Sequence, residues 1–257
     1  MTGLRLALRP FSEFSKDVNA IDETGSRPLH YALRSGELPK TIKKLLDKGA
    51  NPNITDGTGM PPLYYSFDSW RPQDTVDLLD AGADPLQRAP DGRTPLHYLA
   101  PKLMEYGAIP LDNKPWRMPS SPKEIVEYTK LYTRCIEAGC DREARDDSGN
   151  TPLFPFLSFV RPYYRMELGD TPDPEVIKKM LDEHDVHVVN DDGDSLLHIV
   201  AGRTEEHRHE EDGLMLFQML VQRGLDPKRE NKIGATPVDV AAACGNEKIL
   251  DLFARDE

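Results

Sequence analysis

The 257-residue chain is poor in cysteine and lacks long apolar runs, and each scarcity excludes a class of protein. Its three cysteines, Cys135, Cys140 and Cys244, are too few and too irregularly spaced for a disulfide framework, which favours a reducing compartment. Near the N-terminus, arginines interrupt a short apolar stretch, so we expect neither a signal segment nor a membrane-spanning segment. We therefore expect the protein in the cytoplasm or the nucleus, with no membrane partner.

Positive charge is scarce as well. The sequence has 32 lysine and arginine residues against 44 aspartate and glutamate residues, which gives a formal net charge of −12. Because an acidic protein repels nucleic-acid phosphates, we expect no nucleic-acid partner. A protein or peptide with a basic segment fits this charge better.

Motifs for catalysis are missing too. The sequence has no glycine-rich phosphate loop, no nucleophile elbow and no recognisable set of serine, histidine and carboxylate. The segment His207–Asp212 comes nearest to a group of metal ligands, but a short polar loop supplies no converging ligand set by itself. We interpret this segment as a solvated, pH-sensitive loop, and Cys135 and Cys140 as packing residues. We predict no catalytic residue, no metal, no cofactor and no enzyme activity.

What the chain does contain is an internal repeat. The phrase Gly-Arg-Thr-Pro-Leu-His at 92–97 recurs in imperfect copies. The copies begin at Gly25, Gly59, Gly92, Gly149, Gly193 and Gly234, so they lie 34, 33, 57, 44 and 41 residues apart. A second phrase, such as Leu-Leu-Asp-Lys-Gly-Ala-Asn at 45–51, closes several copies. Periods of this length indicate stacked repeats.

Both phrases resemble the ankyrin repeat, and the resemblance covers roughly residues 15–257. It implies an all-α fold, an ankyrin-repeat solenoid of stacked helix-turn-helix units with short β-hairpin loops. We predict a single domain over 1–257. Its predicted parts are a partial leading unit at 1–19 and repeats at about 20–53, 54–86, 87–143, 144–187, 188–228 and 229–257.

Each copy holds signals for a helix start and a helix end. A threonine before a proline can cap the first helix, although Arg27 and Pro61 replace the threonine in two copies. Glycines suit the left-handed ends of the second helices, at positions 49, 82, 139 and 224. That glycine is missing at 183–185, where we expect the least stable link. In ankyrin-like repeats the recurring histidine, here His30, His97 and His198, is a structural group that joins adjacent units.

The long intervals predict insertions of about 24, 11 and 8 residues in three consecutive units, relative to the usual period of this repeat. We place them at Pro101 to roughly Lys123, Arg161 to roughly Pro174, and Gly202–Asp212, in the turn between the two helices. They should lie side by side, and their prolines favour extended backbone in the first two. Their aromatic residues, Trp116, Tyr163 and Tyr164, either cover apolar helix edges or form a ridge that binds a partner.

The resemblance implies that hairpin tips and first helices line a concave binding face. Aromatic residues and mixed charge mark this face in the first three units, at Tyr31, Tyr65, Trp70, Arg93 and Tyr98. The three tyrosines among them follow the histidine position, so they either pack between repeats or anchor a partner. Carboxylates mark the next two units, at Asp147, Asp191 and Asp192, and either face solvent or dock a basic segment.

The leading functional hypothesis is a monomeric, non-enzymatic scaffold that binds a protein or peptide. A second hypothesis makes the array the targeting or regulatory part of a larger enzyme or signalling protein. A third makes it a structural spacer without a specific partner.

Overall fold

The computed structural model describes residues 17–35, 39–68, 71–106, 108–109, 122–158, 171–172, 174–203 and 210–254. Helices dominate these residues, which confirms the predicted fold class. The chain forms two compact units, one ending at Pro90 and the other beginning at Asp91. The predicted single domain and the repeat boundaries stay predictions.

The first unit contains two helix pairs in the described ranges. They are α1 (Pro28–Arg34) with α2 (Pro39–Asp47), and α3 (Pro62–Phe67) with α4 (Pro72–Asp80). Helices α1 and α3 pack against each other, and so do α2 and α4, so that the pairs stack in register. The core between them is apolar and includes Leu29, Ile42, Leu63 and Leu78, all buried.

The second unit contains four helix pairs in the described ranges and one short ribbon. The pairs are α5 (Pro95–Tyr106) with α6 (Pro122–Glu137), α7 (Leu153–Ser158) with α8 (Pro174–Glu183), α9 (Leu196–Ala201) with α10 (Glu210–Gln222), and α11 (Pro237–Cys244) with α12 (Glu247–Asp251). The first helices stack in the order α5, α7, α9, α11. Burying one apolar face of each helix on its neighbours is what stabilises such an array.

The ribbon joins two of the predicted insertions. Strand β1 (Ala108–Ile109) pairs antiparallel with strand β2 (Thr171–Pro172). This pairing agrees with the expectation that the first two insertions lie side by side and contain extended backbone. The remainder of both insertions lies outside the described residues.

One insertion boundary was wrong. Helix α5 continues through Pro101 to Tyr106, although the sequence pattern predicts that 101–106 belongs to an inserted turn with extended backbone. Proline inside a helix removes one backbone hydrogen bond and disfavours helix by about 3 kcal/mol. Leu103 and Met104, which are buried, offset that cost by packing into the core. Residues 210–212, assigned to the third insertion, likewise belong to helix α10.

Two of the three recurring histidines, His97 and His198, join adjacent repeats, as predicted. Nδ1 of His97 accepts from the backbone N–H of Thr94 at 3.1 Å, so its Nε2 carries the ring proton. Nε2 then donates to the carbonyl of Asn150 at 2.9 Å, in the next repeat. His198 repeats this geometry with Ser195 and Ala235, at 3.1 and 3.0 Å.

Candidate protein-interaction surface

Five of the described hairpin turns are built around a carboxylate or amide side chain, whereas the turn at Gly92 has Ala89 at that position. In the turn at Asp56, one carboxylate oxygen accepts from the backbone N–H of Thr58 at 2.9 Å and of Met60 at 3.1 Å. The turn is completed by Gly59, whose φ of 85° would strain any residue with a side chain. The same side-chain role is filled by Asp22, Asp146, Asn190 and Asn231. These turns hold their tips in one fixed backbone geometry.

In the first unit, the second carboxylate oxygen of each turn is bound by a tyrosine. Tyr65 donates its hydroxyl to Asp56 at 2.5 Å, and Tyr31 donates to Asp22. Arg34 forms an ion pair with Asp56 at 2.5 Å and lies 4.4 Å from the centre of the Tyr65 ring. Both predicted tyrosines are half-buried and hydrogen-bonded within their own unit, so they help to fix the turns and expose only part of each ring.

These contacts shift the acidity of the groups involved. Burial raises the pKa of the Asp56 carboxyl, but the hydrogen bonds from Thr58 and Tyr65 outweigh burial and lower the pKa to about 2. Burial and the hydrogen bond to Asp56 raise the pKa of the Tyr65 hydroxyl. At neutral pH this cluster therefore holds an ionised carboxylate and a neutral phenol.

In the second unit, Arg93 lies beside the predicted Tyr98. Its guanidinium carbon is 5.8 Å from the centre of the Tyr98 ring, and its Nε lies 3.6 Å from the Asp146 carboxylate. The Arg93 side chain is 45% exposed, so it remains accessible to a partner while offsetting part of the local negative charge. Tyr98 is half-buried.

Four of the aspartates at the turns of the second unit are exposed: Asp91, which pairs with Arg93 at 3.4 Å, and Asp147, Asp191 and Asp192. Two others are engaged within the fold. Asp146 accepts from the turn backbone, and Asp194 accepts from the amide of Asn231 at 2.7 Å. The structure thus separates carboxylates that build the turns from carboxylates that face solvent, a distinction that the sequence pattern did not reveal.

The tips are connected to each other through their backbones. The N–H of Asp147 donates to the carbonyl of Asp91 at 3.0 Å, and the N–H of Asp191 donates to Ser148 at 3.0 Å. The N–H of Lys232 continues the row by donating to Asp192 at 2.9 Å. We call Asp91, Asp147, Ser148, Asp191, Asp192 and Lys232 the tip row. Beside its Lys232 end, the side chain of Ile233 is 88% exposed.

The remaining predicted site residues, Trp70, Trp116, Tyr163 and Tyr164, lie outside the described residues, as do residues 207–209. Within the described ranges, no group of three or more histidine, cysteine or acidic side chains is placed to hold a metal ion. Among the helices of these ranges, none is long and apolar enough to cross a membrane.

Sequence reasoning missed two structural features. Asn53 bridges the exits of α2 and α4, because its side chain donates to the carbonyl of Gly82 at 2.9 Å and accepts from the backbone N–H of Asp84 at 2.7 Å. Asn19 makes the corresponding contacts with Gly49 and Asn51. The recurrence of asparagine at corresponding positions was the available signal. The second missed feature is a buried cluster around His184, which replaces the missing glycine exit.

Comparison with known proteins supports the interpretation of the fold as an array of ankyrin repeats. The family model for the ankyrin repeat matches residues 24–57. Over 238 residues the chain is 24% identical to the E3 ubiquitin-protein ligase KEG of Arabidopsis thaliana, covering 91% of this chain and 13% of that protein. Over 150 residues it is 31% identical to the human neurogenic locus notch homolog protein 4, covering 53% of this chain and 6% of that protein. The chain thus spans only a small part of the curated relatives that it matches.

Solved structures extend the likeness of the fold. The ankyrin repeat domain of human ASB11 is 19% identical, with a TM-score of 0.59, and the match covers 92% of this chain and 86% of that domain. The ankyrin repeat domain of Bcl-3 is 20% identical, with a TM-score of 0.56 and coverage of 91% and 87%. The chain thus contains an ankyrin repeat at residues 24–57 and has the fold of an ankyrin-repeat solenoid over most of its length.

Proposed function

We propose that this protein is a non-enzymatic scaffold that binds a partner through a basic, extended segment laid across the tip row. Ankyrin repeats are protein-interaction modules, so binding of a protein or peptide is the expected class of function. The observation that carries the finer proposal is the set of exposed carboxylates of Asp147, Asp191 and Asp192 on tips connected by backbone hydrogen bonds. A preorganised row of charges loses little entropy on binding.

The spacing of the tips favours an extended partner. Packed helices lie about 8–10 Å apart, so stacked repeats carry their tips past a partner at a similar interval. In the polyproline II conformation an extended chain advances about 3.1 Å per residue with three residues per turn, so every third side chain lies on one face and three residues span one repeat. A lysine or arginine at every third position of an extended segment therefore matches successive tips. The exposed Ile233 would contact an apolar residue at one end of that segment.

The inserted turns form the second part of the proposal. We assign them an edge ridge in which Trp116, Tyr163 and Tyr164 contact the partner. The pairing of β1 with β2 supports this assignment, because it places parts of two insertions next to each other. Aromatic side chains supply large contact areas at interfaces, whereas charged tips mainly govern the rate of encounter.

A defined peptide tests the tip row. The probe is a synthetic 12-residue peptide with lysine at every third position and serine or threonine between. Its association rate with the intact chain is compared with that of the triple variant Asp147→Asn, Asp191→Asn and Asp192→Asn. We expect the variant to associate more slowly at low salt and to lose most of the salt dependence.

A matched control removes the same amount of charge elsewhere. Glu137→Gln, Glu230→Gln and Asp251→Asn are exposed acidic positions outside the tip row. If the control variant slows association as much as the tip variant, net charge alone attracts the peptide and the tip-row proposal fails.

A deletion tests the edge ridge. Helix α5 contains residues up to Tyr106 and β1 ends at Ile109, so the replacement of 111–120 by a short Gly-Ser bridge leaves both in place. We expect capture of a partner identified with the intact protein to fall while the melting temperature changes little. A collapse of the thermal transition would show instead that this segment is part of the core.

The alternative function is a targeting or regulatory domain of a larger protein. The curated relatives favour it, because the chain covers 13% of a protein named as an E3 ubiquitin ligase and 6% of a Notch homologue. Mass determination of the endogenous protein with an antibody against this array tests the alternative. A mass close to the 28.9 kDa of this chain would contradict it.

A further inference from the structure

The end of helix α8 differs from the other helix exits. After α2, α4, α6 and α10, a glycine with positive φ is followed by a buried small or apolar residue, at Ala50, Ala83, Cys140 and Leu225. After α8 there is no glycine, and His184 occupies the buried position. An imidazole thus occupies a position that is otherwise apolar.

The His184 side chain is fully buried, with polar groups beside both ring nitrogens but, among the described residues, a hydrogen bond only at Nε2. Its Nε2 lies 2.9 Å from the hydroxyl of Tyr132 on α6, and its Nδ1 lies 3.3 Å from the carboxylate of Glu143. The same carboxylate oxygen accepts from the backbone N–H of Asp185 at 3.1 Å. We call His184, Tyr132 and Glu143 the His184 cluster. It connects the exit of α8 to the exit of α6.

Charges of both signs face this imidazole. Glu143 and Glu183 favour its protonated form, whereas burial and Arg142 oppose it. Burial is the largest effect, so the pKa of His184 lies below its ordinary value. Tyr132 provides no charge, because burial raises the pKa of its hydroxyl far above neutral pH. At neutral pH the cluster is therefore closed around a neutral imidazole.

We propose that the His184 cluster is an acid-sensitive latch, and that protonation of His184 opens the contact between the exits of α6 and α8. Protonation makes both ring nitrogens of His184 donors and gives the ring a positive charge. A buried cation also needs water or a close, well-aligned carboxylate beside it. Opening admits water to the imidazolium and removes its desolvation cost. The repeat that contains α8 would then loosen while the remaining repeats stay folded, as repeat arrays permit.

The direction of the pH effect follows from the lowered pKa. In the opened state His184 regains a pKa of about 6.5, so this state binds the proton more readily than the closed state. The contribution to closure is fully present above about pH 6.5 and is lost as the pH falls below that value toward the pKa of the closed state. Mild acid therefore opens the latch.

Two buried thiols report this opening locally. Cys135, one helical turn from Tyr132, is 1% exposed, and Cys140 at the same exit is 7% exposed. In a background with Cys244→Ser, the rate at which a dithiodipyridine reagent labels these thiols is measured between about pH 7.5 and about pH 5.5, a range that spans histidine titration. Dividing the rate in denaturant by the native rate at each pH gives a protection factor that is free of thiol ionisation.

We expect protection to fall on acidification in the parent protein, by up to about tenfold for each pKa unit between the opened and closed states. In His184→Leu, which restores the apolar residue seen at Leu225, protection should be independent of pH over this range. The control His187→Gln changes a neighbouring exposed histidine and should keep the parental pH dependence.

A second variant shifts the response in the opposite direction. Glu143→Gln removes the carboxylate that favours the imidazolium, but its amide oxygen can still accept from Asp185. Its protection should fall by a larger total factor than that of the parent when acidification is continued until protection stops falling, because the gap between the opened and closed pKa values widens. If His184→Leu does not fold, this variant decides alone: an unchanged pH dependence overturns the proposal. Equal pH dependence in the parent and in His184→Leu overturns it as well.

Discussion

Aspartates hold hairpin turns in both compact units through the same backbone hydrogen bonds, but their second carboxylate oxygens have different partners. In the first unit, Asp56 holds its turn with one oxygen and binds Tyr65 and Arg34 with the other. In the second unit, Asp146 holds its turn in the same way, but its second oxygen has weaker contacts, to Asn150 at 3.3 Å and Arg93 at 3.6 Å. The carboxylates at the adjacent tips face solvent. The comparison teaches that, where side chains within a turn accept hydrogen bonds from its backbone, the residues at the tip are not needed for the turn and are free to vary for binding.

The largest expected effect separates two glycines of the second unit that have similar backbone angles. Gly149 and Gly234 have φ of 74° and 80°. A Cβ at Gly149 would lie 2.5 Å from the Asp191 carboxylate and 2.8 Å from its backbone nitrogen, whereas Gly234 has no described atom within 4 Å. We expect Gly149→Ala to lower the free energy of unfolding by about 3 kcal/mol or more and Gly234→Ala by about 1 kcal/mol. Urea-induced unfolding measures both, and equal losses would contradict tight packing between tips.

The next effect compares the two turn aspartates directly. Asp56→Asn keeps the oxygen that holds the turn but loses the charge that pairs with Arg34 and accepts from Tyr65. We expect it to cost about 2 kcal/mol at neutral pH. Asp146→Asn should cost no more than about 0.5 kcal/mol, because asparagine does the same work at Asn190 and Asn231. A similar loss in both variants would remove the distinction between the turns.

Acid should reduce the stability difference between the parent and Asp56→Asn. The pKa of Asp56 is lowered to about 2, below the value of an unfolded aspartate. The stability it contributes is present above about pH 4 and is lost as the pH falls toward about 2. The difference in unfolding free energy between the parent and Asp56→Asn, on the order of 2 kcal/mol, should therefore shrink across this window. Denaturant titrations from neutral pH to about pH 2.5 test this, and a constant difference would refute the ionised state of Asp56.

The smallest effect is expected at the tips themselves. Neutralising Asp147, Asp191 and Asp192 together should change the free energy of unfolding by no more than about 0.5 kcal/mol, since exposed charges contribute little to stability. Thermal unfolding of the triple variant measures this. A loss of several degrees would show that these carboxylates also build the turns, and the comparison between the units would then fail.

The repeat signals in the sequence were sufficient for most of the fold. Glycines at 49, 82, 139 and 224 all have positive φ, because few other residues adopt the left-handed helix end without strain. Pro101 was misjudged because its cost is local, whereas the burial of Leu103 and Met104 that offsets it depends on contacts with other helices.

The candidate surface was less predictable. Tyr31 and Tyr65 were recognised, but the aspartates that accept their hydroxyls were not, since each pair is nine residues apart and meets only when the helix returns to its turn. The acidic stretch was visible as composition, yet sequence alone could not separate Asp146 and Asp194 from their exposed neighbours. For His184, the only signal in the sequence was the missing glycine at 183–185.

The sequence by itself determined the repeat, the helix starts and ends, and the net charge of −12, because local backbone preferences and composition need no partner to act. Tertiary structure alone decided which carboxylates face solvent, which tyrosine hydroxyls are engaged, and that His184 is buried between Tyr132 and Glu143. The physical reason is that burial, hydrogen-bond partners and pKa depend on groups brought together from distant positions along the chain.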